Sequence, residues 1–423
     1  MLLTGSLFLL LSFCGYGQQF YRFDEEEYVR MVLDSNYNIQ SARWNVEAAG
    51  EEVRSVRKDL YPAIDLDFFN IYSEREVTNE GMPVLRQDFY KAGVGIGQNL
   101  YSGGIVRRQI ELAEIFLQES LSDQEITENE ILYLAKLKYW TVVSAMEQMA
   151  IWQEYRRRYE EFYQTIVDRV EASIVSKNEQ LTAHVQLEQI NLQILDIERT
   201  SELAMFEMKR LAKLNTADSL ILGDSIIIST VPAEIIDPSA ALSKRPEIML
   251  MEKRLEASMQ LERIISSSYA PSIGVGLDYF YTNGILDQPD GDFNYNITAR
   301  ATLPLIRWGK KKNELAMQKA YSQAAQFQLD DQIQNVRFDV AKSQYKLEQS
   351  VRQVNLARQA AYEARENLQI YINRYDEGLA SIVEVTEAQT FLQDALLLLF
   401  RYRTEYQFNL IELERAQGEL QPE

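Results

Sequence analysis

The chain has 423 residues and a formal net charge of -20, with 43 Lys and Arg against 63 Asp and Glu. So acidic a surface repels phosphate backbones and excludes nucleic acid as a partner. One cysteine, Cys14, and one histidine, His184, exclude a disulfide framework and a Cys/His metal cluster.

The first stretch, MLLTGSLFLLLSFCGYGQQF, is an apolar run ending in the small residues Gly15 and Gly17. It reads as a secretory leader over 1–17, although the usual basic opening is missing, and it is too short for a convincing membrane span. A buried N-terminal helix is the alternative. Phe13 precedes Cys14 where a lipoprotein signal carries a small residue, which disfavours a lipid anchor there without deciding the matter.

Beyond the leader the chain repeats itself, and the repeat sets the order of elements. NIQSARWNVEAA from Asn38 lines up with EIMLMEKRLEAS from Glu247, and YPAIDLDFFNIYS from Tyr61 with APSIGVGLDYFYT from Ala270, placing Pro62 on Pro271. NLYSGGIVRRQIELAE from Asn99 matches PLIRWGKKKNELAMQK from Pro304, with Gly104 on Gly309, and RVEASIVSKNEQLTAHVQLEQ from Arg169 matches RYDEGLASIVEVTEAQTFLQD from Arg374. The first copy is expected over 18–230 and the second over 231–423.

Copy one predicts a helix, strands near 63–72 and 89–101 around a polar loop, and helices near 104–172 and 177–214. A mixed patch of short β-branched runs begins at Asn215 and carries Pro232 and Pro238. Copy two predicts strands near 272–281 and 293–305, then helices near 309–376 and 381–418. In the first of these helices Ile333, Val340, Leu347, Val354, Ala361, Leu368 and Tyr375 keep a seven-residue spacing, the seam of a coiled coil. Small residues such as Ser343, Ser350, Ala357 and Ala364 follow at three positions on, so a neighbour can approach closely. From Gly309 to Tyr375 such a helix reaches roughly 100 Å at its normal rise. The copy-one seam is less regular, interrupted by Lys138 and Arg156, and its surroundings are expected to differ.

FNYNITARATLPL, from Phe293, alternates Phe293, Tyr295, Ile297, Ala299 and Ala301 with Asn294, Asn296, Thr298, Arg300 and Thr302. A two-residue period gives one apolar and one wet face. Each of the four strands is long enough to cross a bilayer at a tilt, and aromatic residues gather toward the loop ends as an interfacial girdle does. Four strands cannot close a barrel, which needs about eight, and open edges are not tolerated in lipid. Closure must come from other copies of the chain. A soluble four-stranded sheet packed on helices is the plainer reading of the strands alone.

With these pieces in place the chain resembles the TolC-like outer membrane efflux proteins of Gram-negative bacteria. The residues that carry the resemblance are the repeat itself, PLIRWGKKKNELA with its NLYSGGIVRRQIELA partner, and the RYDEGLASIVEVTEAQTFLQDA turn. The resemblance implies a mainly α fold with membrane β-strands: two tandem repeats, four transmembrane strands per protomer in a trimeric twelve-stranded barrel, and long periplasmic coiled-coil helices. It implies an outer membrane channel-tunnel for small molecules or proteins. Its expected partners are two further copies of itself, outer membrane lipid, a periplasmic adaptor (membrane fusion protein) and an inner membrane transporter of RND, ABC or MFS type. No cofactor is implied.

The resemblance also assigns residues. Glu384 and Glu387, three apart on one helical face, match an acidic ring at the periplasmic aperture, and a trimer brings three copies of the pair together. Tyr375 and Glu179 match an aperture latch, and Gly378 the tip turn. Two departures stand out: Ala380 where better-known members carry an arginine of the latch, and Ser173 where Gly378 stands in copy two. Asn294, Asn296, Thr298, Arg300 and Thr302 are expected to line a water-filled lumen. The competing readings are a periplasmic coiled-coil scaffold without a pore, and an enzyme. His184, mid-helix beside Val185, is accompanied by no Ser/His/Asp set, phosphate-binding glycine loop or His/Cys cluster to support the second.

Overall fold

The structure, a computed structural model, describes residues 20–72, 74, 77–79, 82–228, 237–285 and 291–420. The expected leader over 1–17, Cys14, and parts of both polar loops lie outside that set. In chain order the first repeat contributes β1 (Phe20–Phe23), α1 (Glu25–Ser35), α2 (Tyr37–Lys58), β2 (Ala63–Tyr72), β3 (Val77–Asn79), β4 (Met82–Ser102), α3 (Ile105–Glu171), α4 (Lys177–Leu211) and β5 (Ser219–Leu222). The second contributes α5 (Pro238–Leu242), α6 (Pro246–Ser267), β6 (Ser272–Ile285), β7 (Asp292–Thr302), α7 (Lys310–Asp376) and α8 (Ile382–Gln417). α2 and α6 have 22 residues each and α3 and α7 have 67 each, so the halves match in length as well as in order. The chain divides into two compact units that each draw on both repeats: Met1–Ile39 with Glu128–Ala241 and Phe338–Glu423, and Gln40–Thr127 with Leu242–Arg337.

The second of these units holds the sheet. Its strands run in the order β2-β4-β6-β7, every neighbouring pair antiparallel, with β3 paired to β4 beside them. The ladder sets Ile64 opposite Ile96, Ile96 opposite Leu277, and Leu277 opposite Ile297, an apolar row across the whole sheet. One residue further along, the other face carries Asp65, Gly95, Asp278 and Asn296 in register. Alternation of the pleat thus becomes two chemically opposite surfaces. Along β6, Ile273, Val275, Leu277 and Tyr279 stay exposed while Gly274, Gly276, Asp278 and Phe280 are partly covered, as on a sheet curved toward its polar face.

The aromatic residues divide by the same register. Phe68, Tyr72, Tyr90, Tyr279, Tyr281, Phe293 and Tyr295 share the apolar face, and Tyr279 stacks on Phe293 with ring centroids 5.6 Å apart. Phe69, Phe89 and Phe280 stand on the polar face instead, with the Lys91 ammonium 3.9 Å above the Phe280 ring. Proximity to the loop ends, on which the expected girdle rests, merges two surfaces that strand parity separates. Beneath the sheet the α6 side chains bind α3 and α7: Gln260 Nε2 donates to the Arg108 carbonyl at 3.1 Å and to Glu111 at 2.8 Å, and Gln318 Nε2 donates to the Ser258 carbonyl at 3.0 Å.

The first unit is helical, with one small patch. β1 and β5 pair in parallel, Phe20 beside Ser219 and Phe23 beside Leu222. Phe23, Tyr28, Val29, Val32, Tyr139, Val142, Met208 and Ile411 form its main core. Tyr28 donates its hydroxyl to the Met208 carbonyl at 3.0 Å, so the ring is buried with its polar end satisfied. Ile131 to Val143 of α3 are packed by α1, β1, α4 and α8 on several sides at once, and Lys138, one of the residues that interrupt the expected seam, pairs with Glu207. Lys136, almost fully buried, is held between Glu25 at 3.5 Å and Glu414 at 3.4 Å. Burial pushes the Glu25 carboxyl above its usual range, against the pull of Lys136 and the Trp140 indole N–H. On α7 the expected seam is buried at Val340, Leu347, Val354 and Ala361, with Val336, Ser343, Ser350, Ala357 and Ala364 beside it.

No helix among the described residues is long and apolar enough to cross a membrane.

Candidate functional site

Two helical hairpins, α3–α4 and α7–α8, turn at repeat-related positions, and their turns are built alike. In copy one the Ser173 and Ile174 amides donate to Val170 and Arg169 carbonyls at 2.9 and 2.8 Å, and in copy two Gly378 and Leu379 donate to Tyr375 and Arg374 at 3.0 and 2.7 Å. Both turns need one left-handed residue: Gly378 has φ 73° and Ser173 φ 56°. Serine holds in copy one the conformation that glycine adopts freely in copy two.

Each returning helix then starts on a Ser-x-x-Glu box. Ser381 N–H and Oγ–H donate to Glu384 Oε2 at 2.8 and 3.0 Å, while the Glu384 amide donates to Ser381 Oγ at 3.3 Å. The Ser381 backbone N–H holds the Glu384 carboxyl below the usual carboxylate range, with the Ser381 hydroxyl and Arg374 adding to the effect. In copy one Ser176 N–H donates to Glu179 Oε1 at 3.4 Å. The residues expected as an acidic pair are therefore unequal. Glu384 is turned back on its own helix, whereas Glu387 is exposed beside Thr386, Thr390 and Asp394. The signal for this capping role is the S-x-x-E spacing present at both turns.

Glu179 has a second use. Its Oε2 accepts the Tyr375 hydroxyl at 2.9 Å, so one carboxylate caps the first hairpin and binds the second. Tyr375 is 5% exposed, packed with Ile166, Ala183, Ile382 and Val385 and edge-on to Phe162. Burial, then the Glu179 carboxylate, pushes its hydroxyl up to about 12, with Arg169 pulling the other way. Arg169 and Asp376, to which the resemblance gives no role, form a further contact between the hairpins: Arg169 Nη2 donates to Asp376 Oδ1 at 2.7 Å. The remaining residues expected from sequence lie in the other unit, where Asn294, Asn296, Thr298, Arg300 and Thr302 share the polar face of β7. Among the described residues no group of His, Cys, Asp and Glu could hold a metal ion. His184 is exposed on α4, 3.6 Å from Glu188.

An antiparallel sheet of four long strands with one lipid-compatible face, and two helical hairpins that each open on a 67-residue helix, define a membrane channel protomer rather than a soluble bundle. The model of the outer membrane efflux protein family matches residues 28–207 and again 238–419, and the chain belongs to that family. Over 423 aligned residues it is 22% identical to outer membrane protein TolC of Vibrio cholerae serotype O1, covering 93% of this chain and 90% of that one. Among solved structures it is similar to the outer membrane channel OprN, with a TM-score of 0.82 at 16% identity over 93% of this chain and 90% of that chain. It is similar too to the open state of the MtrE channel of Neisseria gonorrhoeae, with a TM-score of 0.80 at 20% identity over 94% and 90% of the two chains. The fold class and the channel-tunnel function expected from sequence stand: the protein is an outer membrane export channel whose helices extend into the periplasm.

Proposed function

We propose that three copies of the chain close a single twelve-stranded barrel, and that the hairpin turns form its periplasmic aperture. The sheet carries this reading. β2 and β7 are its outer strands, each paired on one side only among the described residues. Lipid offers no partner for an open edge, so β7 of one copy must pair with β2 of the next. The even number of alternating strands makes that pairing antiparallel, like every other in the sheet. The apolar row through Ile64 and Ile297 then meets lipid, and Asn294, Asn296, Thr298, Arg300 and Thr302 face the water-filled lumen. The repeats at 18–230 and 231–423 are the two halves that each copy brings, a division supported by the doubled family match.

At the aperture we assign Tyr375 and Glu179 to the latch, Gly378 to the tip turn, and Glu384 with Glu387 to a cation-attracting ring. In this reading the ring's outward charge rests mainly on Glu387, since Glu384 is shared with its cap. A periplasmic adaptor docks on the helices, and an inner membrane transporter of RND, ABC or MFS type drives export. The channel itself performs no catalysis.

Purified protein is expected to form channels in planar bilayers and to migrate as a trimer after cross-linking. Glu384→Gln with Glu387→Gln removes the charge while glutamine can still cap, so a loss of cation preference reports the ring alone. Unchanged selectivity in an otherwise normal channel would remove the ring. Release from membranes by carbonate, with no conductance, would replace the channel with the pore-free scaffold.

A further inference from the structure

We propose that Arg169 is a second link across the hairpin tips, and that the Arg169–Asp376 ion pair holds the resting aperture closed alongside the Tyr375–Glu179 hydrogen bond. The inference rests on the aperture reading above and assigns it a cation to which the resemblance gives no role.

Arg169 lies one turn before the α3–α4 turn, and its carbonyl accepts the Ile174 amide at 2.8 Å, so its backbone is part of the turn itself. Its side chain leaves that hairpin altogether. Nη2 meets Asp376 Oδ1 at 2.7 Å, and the guanidinium carbon lies 5.2 Å from the centroid of the Tyr375 ring. One residue therefore engages both the aspartate that ends α7 and the face of the tyrosine whose hydroxyl binds Glu179. The Arg169 side chain is 23% exposed and that of Asp376 51%, so the pair is partly open to water and salt and each copy contributes only modestly.

The repeat provides an internal control. Arg374 is the copy-two counterpart of Arg169 and makes the same backbone turn, but its Nη2 goes to the Leu379 carbonyl of its own turn at 3.4 Å. Two arginines in equivalent places thus do different work. The difference follows from their targets, because copy one has Val170 where copy two has Tyr375 and so offers no ring of that kind to a reaching guanidinium. Between the turns lies a cleft of about 540 Å³, lined by Arg169, Glu179, Tyr375, Asp376 and Ala380 among others. The methyl of Ala380 leaves room there. An arginine at 380 would start from a residue that lines the same cleft as Glu179 and Asp376.

Single-channel conductance of the full-length protein in planar bilayers tests this with four variants. Arg169→Gln and Asp376→Asn are each expected to raise open-state occupancy about tenfold, as a modest bias does when three protomers open together. Their combination should add little further, since both remove one interaction. Arg169→Gln with Ala380→Arg should return toward wild-type closure, which a merely misfolded tip would not do. Tyr375→Phe serves as the reference for the latch on which the inference depends. If Tyr375→Phe opens the channel and Arg169→Gln leaves it as wild type, the link is wrong and the latch survives. If neither variant changes conductance, the aperture reading fails and takes the link with it. Opening by Arg169→Gln that Ala380→Arg does not reduce would also overturn the link, because the effect would then belong to the turn rather than the charge.

Discussion

Arginine at position 297 separates the two faces of the sheet most sharply. Ile297 is 77% exposed on the protomer and sits at the middle of β7, at the end of the row that runs through Leu277, Ile96 and Ile64. A cationic side chain on the lipid face at the bilayer midplane costs about 2–4 kcal/mol. If three protomers carry it, the penalty is about 6–12 kcal/mol per assembly, comparable to the whole stability of an ordinary protein. Thr298→Arg places the same charge one residue further along, beside Gly276 on the polar face, where the cost should be close to nothing. The assay is the fraction of each variant recovered in outer membranes as a heat-modifiable oligomer, followed by its urea midpoint in lipid vesicles. Ile297→Arg should be nearly absent from membranes and Thr298→Arg should resemble the parent. Normal assembly of Ile297→Arg together with failure of Thr298→Arg would show the sheet to be inside out.

Three further outcomes can be checked. A Cβ built on Gly378 meets no atom within 4 Å, so Gly378→Ala should cost only the left-handed backbone term, about 1 kcal/mol, and Ser173→Gly should regain a similar amount in thermal unfolding; a neutral result for both would remove strain from the turns. Tyr375 has its hydroxyl raised to about 12, so the stabilisation from its bond to Glu179 is intact below the ordinary tyrosine value and is lost only as pH climbs through about 12; closure set by this bond should be flat from mildly acidic to mildly alkaline pH, and opening by pH 9 would contradict it. Glu384 is shifted the other way, so its cap contributes above the ordinary carboxylate value and is lost as pH falls through the lowered one. Amide exchange at the start of α8 should therefore stay slow at pH 5, and early fraying there would count against the cap.

The parts of the fold legible in the sequence are those encoded by short periods. The sevenfold spacing through Val340, Leu347, Val354 and Ala361 coincides with buried positions because a helix repeats its face locally. The strand alternation at Phe293–Thr302 is equally local. What escapes is contact between distant residues. The parallel pairing of β1 with β5 leaves no trace in either segment alone, and β3 is too short to announce itself. Lys136 gives no sign in the sequence of its buried place between Glu25 and Glu414, which arrive from elsewhere in the chain. At the tips, Tyr375 and Glu179 come from the resemblance, whereas Arg169 and Asp376 could not, since the meeting of two surface charges depends on how two hairpins are set side by side. The sign available is the repeat, which marks Arg169 and Arg374 as equivalents.

The pairing of Phe20 with Ser219 also has a bearing on how the protein is made. A chain that emerges from its amino end presents Phe20–Phe23 before either long helix of the first repeat, but the strand that completes this ladder follows only after both. Closing so large a loop is slow compared with forming a helical hairpin. Phe20–Phe23 therefore joins its ladder only after α3 and α4 have formed. Slowing translation or export within the first repeat should therefore lengthen that wait, whereas an equal delay in the second repeat, after Ser219–Leu222 has emerged, should not.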